Sequence, residues 1–199
     1  MSDDKFKNKH RRAHWWDYGN NAAYFITIGT ANREHYFGNI INGNMQLSSI
    51  GVIADVFWHE IKKHADFVEL GEFIVMPNHI HGILIIDKPN ENVIGNANAV
   101  GARHALHLQH ALHLQSLIEP QSLNEPPNRP LPGKKRFRNQ GKNTISSIIG
   151  GYKSVVSNHV HRLGFDFRWQ SRFYDHIIKN KYEYQNIAYY ITNNPANWD

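Results

Sequence analysis

The stretch FVELGEFIVMPNHIHGILII (residues 67–86) holds two runs rich in β-branched and aromatic side chains, 67–76 and 79–86, separated by Pro77 and Asn78. Proline has no amide proton to give to a ladder and asparagine suits a turn, so the runs read as two strands joined tightly. Working outward, AAYFITIGT (22–30) reads as a first strand, and NIINGNMQL (39–47) as a small hairpin around Asn42-Gly43. Across 48–64, Ile50, Ile53, Phe57 and Ile61 recur at helical spacing, with Ser48 or Ser49 as the cap. Ile145, Ile148, Tyr152, Val155 (or Val156) and Val160 mark a second helix, and Phe165–Ile178 a further strand region. A last helix runs from about Lys181 to Asn193 and is stopped by Pro195. The order β, hairpin, α, β, β, α, β, α is neither doubly wound nor all-helical. It predicts an α+β fold, an antiparallel sheet with helices mainly on one face.

The chain has 199 residues, 41% hydrophobic and 12% aromatic, enough for one domain with a real core. Six of the eight prolines fall between Asp87 and Asn143, where Phe137 is the only aromatic residue. Residues 88–142 therefore read as a low-complexity, largely disordered insertion in a single domain of 22–198, which follows a basic arm of 1–21. HALHLQ occurs twice in the insertion, at 104–109 and 110–115, and reads as a duplication in a tolerant loop in preference to a metal tract. The lack of Cys excludes disulfide scaffolds, thiolate metal sites and thiol nucleophiles, so any metal is held by nitrogen and oxygen. No apolar run is long enough to span a bilayer, and MSDDKFKNKHRRAHWW is charged where a signal peptide is apolar. A soluble, cytoplasmic protein with no membrane partner is expected.

The net charge of +5 is unevenly spread. Lys5, Lys7, Lys9, Arg11 and Arg12 lie in the arm, and Lys134, Lys135, Arg136, Arg138 and Lys142 in one patch of the insertion. Such clusters suit a phosphate-rich partner or are merely solvated.

With 14 His in 199 positions, about one His-x-His arises by chance, and two are present: His79-Ile80-His81 and His159-Val160-His161. Residues i and i+2 of a strand share a face, whereas on a helix they lie about 200° apart. The first pair can converge on one metal or be two ordinary surface histidines; the second pair cannot converge. On the last helix Tyr184, Ile187, Ala188 and Ile191 form a buried stripe, and Tyr190 falls roughly 110° from its centre. Asn194 follows about 40° round from Tyr190, on the same edge, while Tyr189 points away. An aromatic on that edge packs, unless the edge faces the histidine pair.

MPNHIHGILI (76–85), RWQSRFYDHII (168–178) and YITNNP (190–195), in this order, resemble the signature set of the single-tyrosine HUH transposases, most closely the REP-associated tyrosine transposases of bacteria. The resemblance spans most of 15–87 and 143–198 and implies a ferredoxin-like or RRM-like HUH nuclease fold. It implies that His79 and His81, with Asn194, hold Mg²⁺ or Mn²⁺, and that Tyr190 is the nucleophile attacking single-stranded or hairpin DNA. The product would be a 5′-phosphotyrosine and a free 3′-OH, so that the DNA can be rejoined. An ordinary phenol has a pKa of about 10, so a neighbouring group or the metal must help remove its proton.

Arg172, His176 and Lys153 match family positions beside the site and are candidates for DNA contact or for orienting a ligand, with structural roles as the alternative. Trp15, Trp16 and Tyr18 stack on unpaired bases or anchor the N-terminus. The partner is single-stranded or hairpin DNA, met by a monomer or a homodimer. The rival readings are an inactive nucleic-acid-binding module and a metal-dependent hydrolase that uses water.

Overall fold

The computed structural model describes residues 16–88 and 143–198. Residues 1–15 of the basic arm, the HALHLQ repeat and the 134–142 patch lie outside the described residues. Strand β5 (His79–Ile86) is central to a four-stranded sheet. On one side it pairs antiparallel with β4 (Val68–Met76), the other half of the predicted pair, and on the other side with β1 (Ala22–Gly29). β6 (Tyr174–Ile178) adds antiparallel to the free edge of β1, giving the order β4-β5-β1-β6. The expected hairpin forms as β2 (Gly38–Ile41) and β3 (Asn44–Leu47), a separate two-stranded sheet. Its turn needs positive φ at both central positions, and Asn42 and Gly43 supply 51° and 73°.

Helix α1 (Ser49–His64) starts at Ser48, whose hydroxyl accepts the Gly51 N–H at 3.1 Å; such a cap contributes about 1 kcal/mol. Helix α2 (Ile145–Arg162) starts with a capping box between Thr144 and Ser147. Its buried positions Ile145, Ile149, Tyr152, Val156 and Val160 pack with Trp58 and Ile61 of α1. Both helices cover the sheet face made by Tyr24, Ile26 and Ile28 of β1 and by Ile80, Leu84 and Ile86 of β5. Gly82 lies on that face because the Trp58 ring occupies the place of a side chain; a Cβ there would meet Trp58 Cζ2 at 2.3 Å.

The third helix, α3 (Lys181–Asn193), covers the opposite face. Ile191 is fully buried with Ala23, Ile83, Ile85 and Ile178, and Tyr184, Ile187 and Ala188 pack beside it. Two helices thus lie on one face and the tyrosine-bearing helix on the other. None of the described helices is long and apolar enough to cross a membrane.

The expected strand region 165–178 narrows to β6. Before it, Phe167 is 1% exposed and packs on Tyr36, Phe37 and Trp169. Burial of these rings draws the segment across the end of β1, where Trp169 makes an isolated bridge with Thr30. Trp16 donates to Tyr24 Oη at 3.0 Å and Tyr18 packs on the same ring, so both anchor the chain to the core; Trp15 lies outside the described residues.

A methyl at position 82 forces Trp58 out of its place, and overpacking of this kind costs about 1–3 kcal/mol. Gly82→Ala is expected to lower the urea midpoint with an unchanged m-value, whereas Gly151→Ala, where a Cβ meets nothing within 4 Å, is not. Equal midpoints for the two variants would refute this account of the Trp58 contact.

Candidate active site

The strand register builds the site. Thr27 of β1 is opposite His81 and Gly29 is opposite His79, so both histidines project from the sheet face that α3 covers. His79 Nε2 and His81 Nε2 lie 2.9 Å apart, and Tyr190 Oη is 3.3 Å from His81 Nε2. Phe25 stacks on the His81 ring at 5.3 Å and meets Tyr190 edge-on at 6.2 Å. Trp198, just past α3, lies over His79 with centroids 5.8 Å apart.

Neighbouring polar groups set the protonation of the imidazoles. Asn78 Nδ2 donates to Arg33 O at 3.3 Å, which fixes the amide with Oδ1 towards His79 Nδ1 at 2.7 Å. An amide oxygen only accepts, so Nδ1 carries the proton and His79 Nε2 is bare. His81 Nδ1 lies 2.8 Å from Thr27 Oγ1, a hydroxyl able to donate or to accept, so His81 can take either tautomer. With Nδ1 protonated, two lone pairs face each other at 2.9 Å, an arrangement that calls for a cation between them. Two nitrogens about 2.1 Å from one ion and at right angles lie about 3 Å apart. The donor pair therefore fits a divalent ion. Among the described residues no third His, Cys, Asp or Glu gathers with the pair, so further protein ligation would have to come from an amide or carbonyl oxygen.

Burial pushes His79 down to about 4, with Arg33 adding to the effect, and pushes His81 down to about 3, with His79 adding to it. Both rings are neutral near pH 7 and carry the lone pairs that metal ligation needs.

Tyr190 is 50% exposed and Tyr189 72%, in the order their helical angles predict. Asn194 caps the C-terminus of α3, one turn after Tyr190; its half-buried side chain makes no hydrogen bond among the described residues. His176 is not beside the histidine pair: its Nε2 meets Glu183 Oε1 at 2.7 Å and ties β6 to the first turn of α3. Lys153 donates to Gln170 O at 2.6 Å and lies over Trp169, clipping the 165–173 segment to α2; burial lowers its pKa. Arg172 is exposed two residues before β6. Lys134, Lys135, Arg136 and Arg138 lie outside the described residues. His159 and His161 donate to different carbonyls, Val155 O and Phe167 O, and share no point. Four residues that touch the histidines drew no notice in the sequence as parts of a site: Phe25, Thr27, Asn78 and Trp198. Period-two alternation from His81 across a paired β1 could have found Phe25 and Thr27.

No family model matches the chain. A Haemophilus influenzae (strain ATCC 51907 / DSM 11121 / KW20 / Rd) protein named only as an uncharacterized protein is 32% identical over 186 residues, covering 92% of this chain and 86% of that one. Among solved structures, a REP-associated tyrosine transposase bound to a REP hairpin aligns with a TM-score of 0.53 at 17% identity, over 96% of this chain and 73% of that one. The chain therefore has a transposase-like α+β fold.

In metal-free protein the lowered histidines make stability depend on pH. Between about pH 6.5 and 4 the unfolded chain binds protons that the folded chain refuses, so stability rises with pH and is lost on acidification. In EDTA the urea midpoint is expected to fall from about pH 7 to about pH 4, and the double variant His79→Gln/His81→Gln to fall less. An equally steep fall in that variant would place the acid sensitivity elsewhere.

Proposed function

We propose that this chain, which belongs to the same family as the Haemophilus influenzae protein, is a metal-dependent tyrosine transposase that cleaves and rejoins single-stranded or hairpin DNA. The observation that carries the reading is a phenol oxygen 3.3 Å from one of two facing imidazole nitrogens that are themselves 2.9 Å apart, on a sheet face closed by the tyrosine's own helix. The transposase-like fold and the matched motifs around His79, His81 and Tyr190 support it.

In this reading His79 and His81 hold Mg²⁺ or Mn²⁺ through Nε2, with the Asn194 amide oxygen as a third protein ligand. An ion held there would supply positive charge to the scissile phosphate. Asn78 and Thr27 orient the imidazoles, and Phe25 and Trp198 keep water from their faces. The Tyr190 oxygen bonds to phosphorus as the phosphorus bond to the 3′-oxygen breaks. The phenol gives up its proton and the departing 3′-oxygen takes one up. The 5′-phosphotyrosine keeps the bond energy for the reverse attack by a 3′-OH, so the net reaction is strand transfer. Arg172, exposed at the same end of the sheet, is a candidate DNA contact.

A second reading, DNA binding without cleavage, is favoured by one observation: among the described residues the histidine pair lacks a carboxylate companion. Incubation with end-labelled hairpin DNA and Mn²⁺, then a denaturing gel and peptide mapping, separates the two. A covalent adduct on Tyr190 is expected, lost with EDTA and in His81→Ala. Tyr190→Phe is expected to lose the adduct by more than about 10³-fold while changing DNA affinity less than about threefold. Cleavage retained by Tyr190→Phe would rule out the nucleophile, and tight binding with no adduct would select the binding-only reading.

A further inference from the structure

Between β1 and β2 the backbone adopts a conformation that side-chain-bearing residues seldom take. Asn32 and Arg33 have φ of 54° and 57°, and neither is glycine. The turn is held from outside itself. Thr30 Oγ1 is 2.7 Å from Glu34 O and 2.9 Å from Asn78 O, Ala31 N–H donates to Arg168 O, and Asn78 Nδ2 donates to Arg33 O. Asn78 is thus shared: one atom of its amide orients His79 and the other holds the Arg33 backbone.

That anchoring puts a strained arginine beside the histidine pair. The Arg33 side chain is exposed, its charge reaches His79, and among the described residues it has no carboxylate partner. At the far end of the sheet, by contrast, Lys62 and Lys63 pair with Glu69 and Glu60. A guanidinium whose charge reaches an imidazole of a pair that would hold a divalent cation adds positive charge there, and among the described residues no carboxylate pairs with it. An anion shared between them removes the repulsion, and the planar fork of the guanidinium suits the non-bridging oxygens of a phosphate.

We propose that Arg33 is a phosphate-binding residue, its guanidinium taking the non-bridging oxygens of one phosphodiester in the DNA strand presented to His79 and His81. The assignment rests on the DNA-strand reading above and adds to it a contact from the β1–β2 turn. The rigid turn fixes the strand's register against the histidine pair, which a mobile surface lysine would not do.

The test compares wild type, Arg33→Ala, Arg33→Lys and Arg33→Asn, with Lys63→Ala as a charge control at the far end. Asparagine tolerates positive φ, so Arg33→Asn guards against a variant that merely misfolds. Binding to a labelled DNA hairpin with single-stranded flanks is measured in EDTA over a salt series. It is then repeated with one neutral methylphosphonate placed at each flank position in turn. Arg33→Ala and Arg33→Asn are expected to flatten the slope of log affinity against log salt by about 0.7. Both should also be indifferent to the one methylphosphonate position that weakens wild type. Arg33→Lys should keep the slope but bind more weakly, and Lys63→Ala should retain the wild-type methylphosphonate profile. Wild-type slopes and wild-type methylphosphonate sensitivity in Arg33→Asn would overturn the assignment. Because these readouts are binding alone, a wild type that binds yet forms no adduct in Mn²⁺ overturns the cleavage reading and leaves the Arg33 result standing on its own data. Failure of wild type to bind the hairpin overturns both.

Discussion

Strand β5 is covered on both faces, and that constraint organises the molecule. Its even-numbered positions Ile80, Leu84 and Ile86 sink between the sheet and the α1–α2 pair, with Gly82 opened for Trp58. Its odd-numbered positions Ile83 and Ile85 sink beneath α3. A slip of one residue in the pairing with β1 would exchange every one of these contacts at once. The register that buries the isoleucines therefore also fixes His79 opposite Gly29 and His81 opposite Thr27. The placement of the imidazoles is a by-product of core packing, and the core holds them rigidly.

Core packing alone would not suit those imidazoles to the proposed metal site; their proton placement would. Burial strips both rings of charge, and Asn78 then forces the proton of His79 onto Nδ1. Thr27 lets His81 take either tautomer, so the pair can share a proton when alone and offer two lone pairs when a cation is present. A carboxylate in place of Thr27 would hold one tautomer and attract a proton as well as a metal. A hydroxyl leaves the choice to the ligand.

The histidine face was legible in the sequence because period-two alternation and the Pro77-Asn78 turn act locally. The edge position of Tyr190 was legible because helical angle depends only on residue count, and the order of exposure of Tyr190 and Tyr189 follows it. The side of the sheet that α3 covers was not. Amphipathicity says which face of a helix is buried, but with β5 apolar on both faces it does not say which face of the sheet receives it. Asn78 read only as a turn residue because its role needs the Arg33 carbonyl, 45 residues away in the chain. The 165–173 segment reads as part of a strand region, yet Phe167 and Trp169 are drawn into an aromatic cluster with Tyr36 and Phe37 that pulls the backbone off the ladder.

The helix that carries Tyr190 is fastened differently at its two ends. At the first turn, Glu183 accepts from Lys179 N–H and meets His176, Asn180 Oδ1 accepts the Glu183 N–H, and Tyr184 donates to Glu72. At the last turn, the fully buried Ile191 holds it by apolar contact. Directional bonds fix the rotation of a helix about its axis, and a buried isoleucine fixes its height above the sheet. Both are needed here, because adjacent positions on a helix differ by about 100° and only one of Tyr189 and Tyr190 can face His81. The flank position also resolves a conflict of exposure. In the proposed reaction the ligand nitrogens would hold a cation best when desolvated, and His81 is 5% exposed, whereas a nucleophile for a polymer would have to be reached from outside, and Tyr190 is 50% exposed. A tyrosine at the centre of the buried stripe would meet the first demand and fail the second.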